Sequence, residues 1–520
     1  MSYIPALFIA CYPAIFIYSR YSETVSAVKL AAALAVSVFF SLLLCGLAKL
    51  LYRRNTLADK RSGLAAAVLA IVAVSYGHLF NSFYIGSLNL LIDLGIANLP
   101  ETTLKFGWKL IILAFFLCFT AWSYRRIRSW TDATIISLSK AVMIFSTFFI
   151  LMPTLTIISS AGQTHEKKQQ RHPNAVINTE DCEYCRSDIY HIVLDGYARQ
   201  DILTQYYGFS NQDFLDQLEQ LDFAVVKDAR SNYAWTFLSL SSTLNMQYLD
   251  TLVDQNENSS RHCSQQAYKL IRENQVADII KQFDYQYVHM NSTWGATLYN
   301  DHADISFDCK SSPLQDEFYR VLFEGSLLRI FSAQVIQDIA SCHLNNFSWL
   351  THDAPRIKGN NFVFAHFILP HHPYLFDKNG HILRHADLSD QFQFQKKLWG
   401  DRVGYLQQLQ FVNKKVLEAV EQIIKSSEHP PIIIIQSDHG PQLIAKDGKR
   451  DINFDEGRSG ILLAILEPDP KAEVPVKSSV NIFPYLLNTY FNQRYAIRPD
   501  KYFTSSHKSP CDVEEVTFSY

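Results

Sequence analysis

Three short motifs in this chain carry groups that hold cations. Asp195, Gly196 and Tyr197 follow the apolar run HIVL. Ser437, Asp438, His439 and Gly440 follow four isoleucines and Gln436. Pro370, His371, His372, Pro373 and Tyr374 follow FVFAHFIL. Carboxylate and imidazole are ligands for hard and borderline divalent ions such as Zn²⁺, Mn²⁺ and Mg²⁺. An Asp–His pair straight after a buried strand offers two ligands from one turn, and Gly440 lets the backbone approach closely. A solitary Asp after a strand is better explained as a helix cap or a satisfied sheet edge. Two such carboxylates after two apolar runs, one followed by His–Gly, favour a metal site instead.

Such a site needs a nucleophile. RSNYAWTFLSLSSTLNM, from Arg230 to Met246, is dense in hydroxyls: Ser231, Thr236, Ser239, Ser241, Ser242 and Thr243. A metal-bound hydroxyl at a helix N-terminus loses proton affinity and can attack phosphorus or sulfur. The helix dipole there also favours an incoming anion. An ordinary Thr or Ser cap explains the segment equally well when it is taken alone.

The elements that must position these groups read as α/β. Candidate strands are Tyr190 to Leu194, Phe223 to Lys227, Tyr285 to His289, Phe362 to Ile368, Ile432 to Gln436 and Ile461 to Leu466. IIII has no polar alternation and suits a central strand buried on both faces. Leu409, Val412, Val416, Val420 and Ile423 recur at helical spacing, with Lys414, Glu418 and Glu421 off that face. Strands alternating with helices imply a mostly parallel sheet with helices on both faces. In such sheets ligands gather beyond the carboxyl ends of the strands, where all three motifs fall.

The N-terminal third is different. Apolar runs extend over Ile4 to Tyr18, Leu30 to Leu51, Leu64 to Phe80, Trp108 to Trp122 and about Ala133 to Ile158. They read as five transmembrane helices, the shorter ones borrowing interfacial flanks. A cleaved signal peptide is the alternative for the first run, but it lacks a basic start and contains Pro5 and Pro13. Arg53, Arg54, Lys60 and Arg61 crowd one link, and Arg125, Arg126 and Arg128 another. The positive-inside rule puts both links and the N-terminus in the cytoplasm, with everything after Ser160 outside. The expected layout is a membrane domain over 1–160, a polar linker over 161–187 and an extracytoplasmic catalytic domain over 188–520.

Six cysteines (Cys182, Cys185, Cys263, Cys309, Cys342 and Cys511) then lie in an oxidising compartment and favour disulfides, with 15 pairings open. Lys+Arg (47) and Asp+Glu (50) nearly balance, which argues against a nucleic-acid partner.

In order, these motifs resemble the sulfatase-like branch of the alkaline phosphatase superfamily. Membrane helices followed by an external catalytic domain resemble its lipoteichoic acid synthases and its phosphoethanolamine and phosphoglycerol transferases. The resemblance implies that Asp195, Thr236, Asp438 and His439 hold a divalent ion, Zn or Mn, with a second ion left open. It implies that Thr236, in Thr-Phe-Leu-Ser-Leu, is the nucleophile, and that His371 contacts the transferred group or a second metal. His366 and His372 are weaker candidates for that place, and Arg199, in the DG-x-x-R form, for binding phosphate. The implied activity moves a phospho-head group from a membrane lipid donor to a glycan or lipopolysaccharide-type acceptor through a covalent phospho-threonine. A membrane-tethered sulfatase-like hydrolase or phosphodiesterase is the alternative, and a non-catalytic envelope scaffold a third reading. The chain departs from true sulfatases in lacking C/S-x-P-x-R, which points to phosphate rather than sulfate esters. Asp377 and His381 have a second-site spacing that a surface turn, DKNG, explains better.

Overall fold

The computed structural model describes residues 1–21, 25–93, 101–161, 184–249, 260–309, 312–383, 399, 401–443, 454–471, 473–506 and 509–518. The chain forms two compact units. One is Met1–Arg171 with Glu317–Val335; the other is His172–Asp316 with Ile336–Tyr520. Most of the expected linker lies outside the described residues.

The first unit is helical: α1 (Ile4–Tyr21), α2 (Ala27–Tyr52), α3 (Ala58–Asp93), α4 (Glu101–Ser129) and α5 (Asp132–Ala161). Ala27–Tyr52, Ala58–Tyr84, Phe106–Ser129 and Asp132–Ser159 are long and apolar enough to cross a membrane. Ile4–Arg20 is a shorter apolar helix. Buried alanines (Ala6, Ala48, Ala66, Ala70) line the contacts, while leucines and phenylalanines face outward. That is the inverse of a water-soluble bundle and suits helices packing in lipid, where small residues bring backbones together. Arg61, from a basic link, is buried. It donates to the carbonyls of Ile127 and Trp130 and pairs with Asp132 at 2.9 Å, so it serves orphan carbonyls where α4 ends.

The second unit is built on a seven-stranded sheet: β1 (Ile189–Leu194), β2 (Ala224–Val225), β3 (Tyr285–Met290), β4 (Ile305–Phe307), β5 (Asn360–Phe367), β6 (Ile432–Ser437) and β7 (Leu463–Leu466). The order is β2-β7-β6-β1-β5-β3-β4. β6, β1, β5, β3 and β4 run parallel, and β7 and β2 add antiparallel pairs at one side. The isoleucines of β6 are all fully buried. The helix Arg402–Ser426 buries the expected apolar stripe from Leu409 to Ile423.

Register is what matters for the site. Leu194 pairs with Ser437 and with Phe367. Asp195 and Asp438 therefore leave neighbouring strands at the same level. The strand expected from Phe223 shrinks to two residues, and β7 starts two residues later than expected. β4 and the terminal hairpin, Tyr502–Ser506 with Ser509–Val516, have no counterpart in the sequence reading. Both are short or polar and carry little apolar periodicity. Disulfides join Cys263 to Cys511 and Cys309 to Cys342, and Cys185 is also disulfide-bonded. Cys11, Cys45 and Cys118 are free thiols in the membrane helices.

Ile434 is fully buried in the core cluster that also holds Phe362 and Phe364, flanked on the sheet by His191 and Ile465. Ile434→Ala should cost about 2–5 kcal/mol through lost burial and a residual cavity. A fall in the melting temperature of the detergent-solubilised protein measures it.

Candidate metal-binding active site

The site is assembled by two strand ends and one helix start. β1 ends in Asp195, β6 in Asp438 and His439, and a helix starts at Thr236 (Thr236–Asn245). The ligand atoms of Asp195, Asp438 and His439 all lie within 4.8 Å of one another, and all three residues are buried. His439 Nε2 is 3.4 Å from Asp438 Oδ2 and 3.7 Å from Asp195 Oδ1. Thr236 Oγ1 lies 3.0 Å from the same Nε2. Thr236 is only half-buried, so the hydroxyl side of the cluster is the side nearest solvent.

Local contacts hold this arrangement. Gly196 N–H donates to Asp438 Oδ1 at 3.1 Å and fixes one carboxylate oxygen. Gly196 has φ +75°, and a Cβ there would meet Trp399 at 2.8 Å, so only glycine fits. Ser239, one turn into the helix that starts at Thr236, donates to the Asp438 carbonyl at 2.6 Å and ties helix to strand end. At Gly440 a Cβ would lie 2.0 Å from the Gly457 carbonyl, the close backbone approach expected of that glycine.

Hydrogen bonding sets the imidazole. His439 Nδ1 is 3.0 Å from the Gly440 carbonyl, which can only accept. Nδ1 therefore carries the proton, and Nε2 presents its lone pair to two carboxylates. Asp438 Oδ2 is buried and makes no hydrogen bond of normal geometry. A lone pair facing buried carboxylate oxygens is repulsive unless a cation sits between them. Two ligands on one tetrahedral ion lie about 3.4 Å apart, close to the spacings seen here. The residues fit a divalent metal.

The electrostatics agree. Burial, then the neighbouring Asp195, push the Asp438 carboxyl up to about 8. Burial, with Arg458 and His371 nearby, holds His439 well below its ordinary 6.5, as an unprotonated ligand should be.

The other expected residues divide. His371 lies on the site's edge, half-buried, its ring 6.3 Å from that of His439, with its backbone N–H on the Asp195 carbonyl at 2.9 Å. His366 is buried on β5, with Nδ1 2.9 Å from Thr297 Oγ1 and Nε2 3.8 Å from Asp195 Oδ2. His372 is buried beside Trp399 and Tyr374, turned into the wall behind His371. Arg199 is committed elsewhere: it pairs with Asp201 at 2.7 Å and Glu456 at 3.3 Å and donates to the Ala229 carbonyl. That network leaves phosphate binding by Arg199 without support. Asp377 and His381 meet in a surface turn, where His381 N–H donates to Asp377 Oδ1 at 2.9 Å and its Nδ1 lies 2.8 Å from Oδ2, as the surface-turn reading expected.

Arg458 has no place in the sequence reading. It is 2% exposed and bridges the two halves of the site. Its guanidinium donates twice to the Ala234 carbonyl, two residues before Thr236, and at 2.8 Å to the Gly440 carbonyl. The latter is the same oxygen that fixes the tautomer of His439. The guanidinium also lies 5.2 Å from the Trp235 ring. The only sequence signal was a cation directly before a buried strand (GRSG).

No family model and no curated protein matches this chain. Solved structures do. The integral membrane lipooligosaccharide phosphoethanolamine transferase A from Neisseria meningitidis aligns over 94% of this chain and 95% of its own, at 12% identity and TM-score 0.40. The C-terminal periplasmic domain of EcEptC from Escherichia coli, in complex with Zn, covers 61% of this chain and 84% of its own, at 9% identity and TM-score 0.39. The same domain of the phosphoethanolamine transferase EptC from Campylobacter jejuni covers 59% and 90%, at 12% identity and TM-score 0.37.

Two outcomes follow from the geometry. Asp438 in the folded chain has its pKa raised above the ordinary 3.8, so its protonated form stabilises the fold. That contribution is complete below about pH 4 and is lost as pH rises through about 8. Chelator-treated protein should melt at progressively lower temperature across that window, and added Zn²⁺ should flatten the decline. Arg458→Gln should weaken Zn²⁺ affinity about 10- to 100-fold, the usual cost of losing a group that orients a ligand. Titration of the chelator-treated protein with Zn²⁺ measures it.

Proposed function

We propose that this chain is a membrane-bound, metal-dependent phosphotransferase of the sulfatase-like branch of the alkaline phosphatase superfamily. It moves a phospho-head group from a membrane lipid donor to a glycan or lipopolysaccharide-type acceptor on the extracytoplasmic side of the inner membrane, with its N-terminus in the cytoplasm. The observation that carries the reading is the half-buried Thr236 hydroxyl, 3.0 Å from His439 within a buried Asp–Asp–His cluster.

Asp195, Asp438, His439 and Thr236 Oγ1 would hold one divalent ion, Zn or Mn. Bound there, the ion lowers the pKa of the hydroxyl and offsets charge on the phosphoryl oxygens. Thr236 Oγ attacks the phosphorus of the lipid head group, its bond to phosphorus forms, and the phosphorus–oxygen bond to diacylglycerol breaks. The threonine proton passes to the departing oxygen, with His371 as its carrier. An acceptor hydroxyl then attacks the phospho-threonine, the Thr236 oxygen is released, and it regains a proton. The helix start at Thr236 points backbone N–H groups at the transferred anion. Membrane helices on the same chain keep the enzyme where its lipid donor is found.

Incubating the purified protein with membrane lipids should add the mass of the head group to Thr236, read by intact mass and peptide mapping. Thr236→Ala should remove the adduct and lower turnover by on the order of a thousand-fold or more. An unmodified, fully active Thr236→Ala protein would sink the mechanism. Product analysis with and without a glycan acceptor separates transfer from hydrolysis.

A further inference from the structure

The segment Glu317–Val335 lies in the middle of the second unit's sequence, yet it belongs to the first unit. The chain leaves the catalytic unit after Asp316, packs against the membrane helices, and returns at Ile336. It folds as a helix, Glu317–Gly325, followed by a 3₁₀ stretch, Leu327–Phe331.

The seating is built at atomic distance. A Cβ on Gly77 of α3 would lie 1.8 Å from the Glu324 carbonyl, so only glycine permits the contact. The partner glycine, Gly325, would bring a Cβ within 3.0 Å of His78. Phe318 is buried with Ala14, Val25 and Ala33 of the first unit. The one buried charge of the 3₁₀ stretch, Arg329, pairs with Glu324 at 2.6 Å and stacks 4.8 Å over Phe80. Lys109 of α4 reaches Ser332 at 3.4 Å. Thus Glu324 and Arg329 are paired within the unit, and the other charged residues of the segment, Glu317 and Arg320, are half-buried.

Depth follows from α3. Its apolar course starts just after Arg61, at Leu64, and Gly77 is 13 residues further along the helix. At 1.5 Å per residue that is about 20 Å into a hydrocarbon layer about 30 Å thick. The contact therefore lies about 10 Å below the far interface, within the leaflet on the catalytic side. At that depth, irregular backbone is tolerated where protein covers it, and the outward side must be apolar. The outward side is apolar: Val321, Leu328, Ile330 and Phe331 are exposed, with Phe331 at 61%. The helices that receive the segment expose apolar side chains too, Phe83 and Leu110 among them.

We propose that residues 317–331 form a re-entrant element seated in the outer leaflet, with Leu328, Ile330 and Phe331 against lipid acyl chains. The inference rests on the membrane reading of α1–α5. It gives the catalytic unit a second, non-terminal hold on the bilayer that supplies the lipid donor.

The test is collision accessibility of nitroxide labels on the full-length protein in nanodiscs of phosphatidylethanolamine and phosphatidylglycerol. The free thiols Cys11, Cys45 and Cys118 are first replaced by serine, and Phe331→Cys and Leu328→Cys are labelled separately. Leu42→Cys, on the exposed face of α2, reports the membrane reading itself, and Ile497→Cys reports a water-exposed site of the catalytic unit. At both 328 and 331, the ratio of oxygen to nickel-chelate accessibility should be several-fold higher than at 497 and close to that at 42. A lipid-like 42 with water-like 328 or 331 overturns the inference alone. A water-like 42 overturns the membrane reading on which it rests. Labels shielded from both reagents mean that protein covers the patch, which also overturns it. Gly77→Val, which blocks the seating contact, should move the label at 331 towards water, and no change there would count against the seating.

Discussion

Two carboxylates cannot share a buried pocket unaided. Asp195 and Asp438 are 3% and 0% exposed, and His439, which separates them, is neutral. Removing each charge from water costs several kcal/mol, and their mutual repulsion adds to that. Gly196 donates its N–H to one oxygen of Asp438, and the Arg458 guanidinium stands at one remove. A proton on Asp438 relieves the pocket partly; a divalent ion relieves it completely. Everything around the pocket can be read as preparation for that cation.

The preparation is spread through the fold. Parallel pairing of β1 with β6 sets the two carboxylates at one level. The Gly196 turn brings its N–H onto one oxygen of Asp438. The helix that starts at Thr236 is fastened to the Asp438 backbone by Ser239. Arg458 then locks the loop before Thr236 to the loop after His439, so the hydroxyl and the imidazole move as one body. The positive charge buried there opposes the rise of the Asp438 pKa without cancelling it, so metal binding at neutral pH has to displace a proton from Asp438.

Much of this was legible in the residues. A run of four isoleucines without polar alternation suits a strand buried on both faces, and β6 is one. Polar groups placed directly after such a strand must emerge at its carboxyl end, which is why Asp195, Asp438 and His439 were found together. Thr236 was less legible, because a threonine before an apolar run reads equally as a cap; its place beside His439 depends on contacts between residues over 200 positions apart. His366 and His372 looked like site residues because they flank His371. The strand's alternation sends His366 behind Asp195, and packing against Trp399 turns His372 into the wall. Arg199 followed a familiar-looking motif, but its neighbours Asp201 and Glu456 could claim it first. Arg458 gave almost no signal, since a lone basic residue in a short polar segment, here the helix Phe454–Ser459, normally reads as solvated.

The excursion at Glu317–Val335 was illegible for a related reason. EFYRVLFEG has helical periodicity, and in a water-soluble domain such a stripe simply packs on the core. Its composition does not distinguish a core from a membrane helix as the surface it covers. Two glycines decide the matter, Gly77 and Gly325, some 250 positions apart, and neither means anything until the other is beside it. The same logic links the site and the membrane. An enzyme whose donor is a lipid gains little from affinity for a head group in solution; it gains from being held at the bilayer, where the donor is already concentrated and oriented. The proposed return to the bilayer midway through the second unit's sequence would add two covalent connections to the polar linker, and each connection narrows what a single tether leaves open. On the proposed function, restricting that freedom would raise the effective concentration of a lipid phosphorus at Thr236 without any new contact to the substrate.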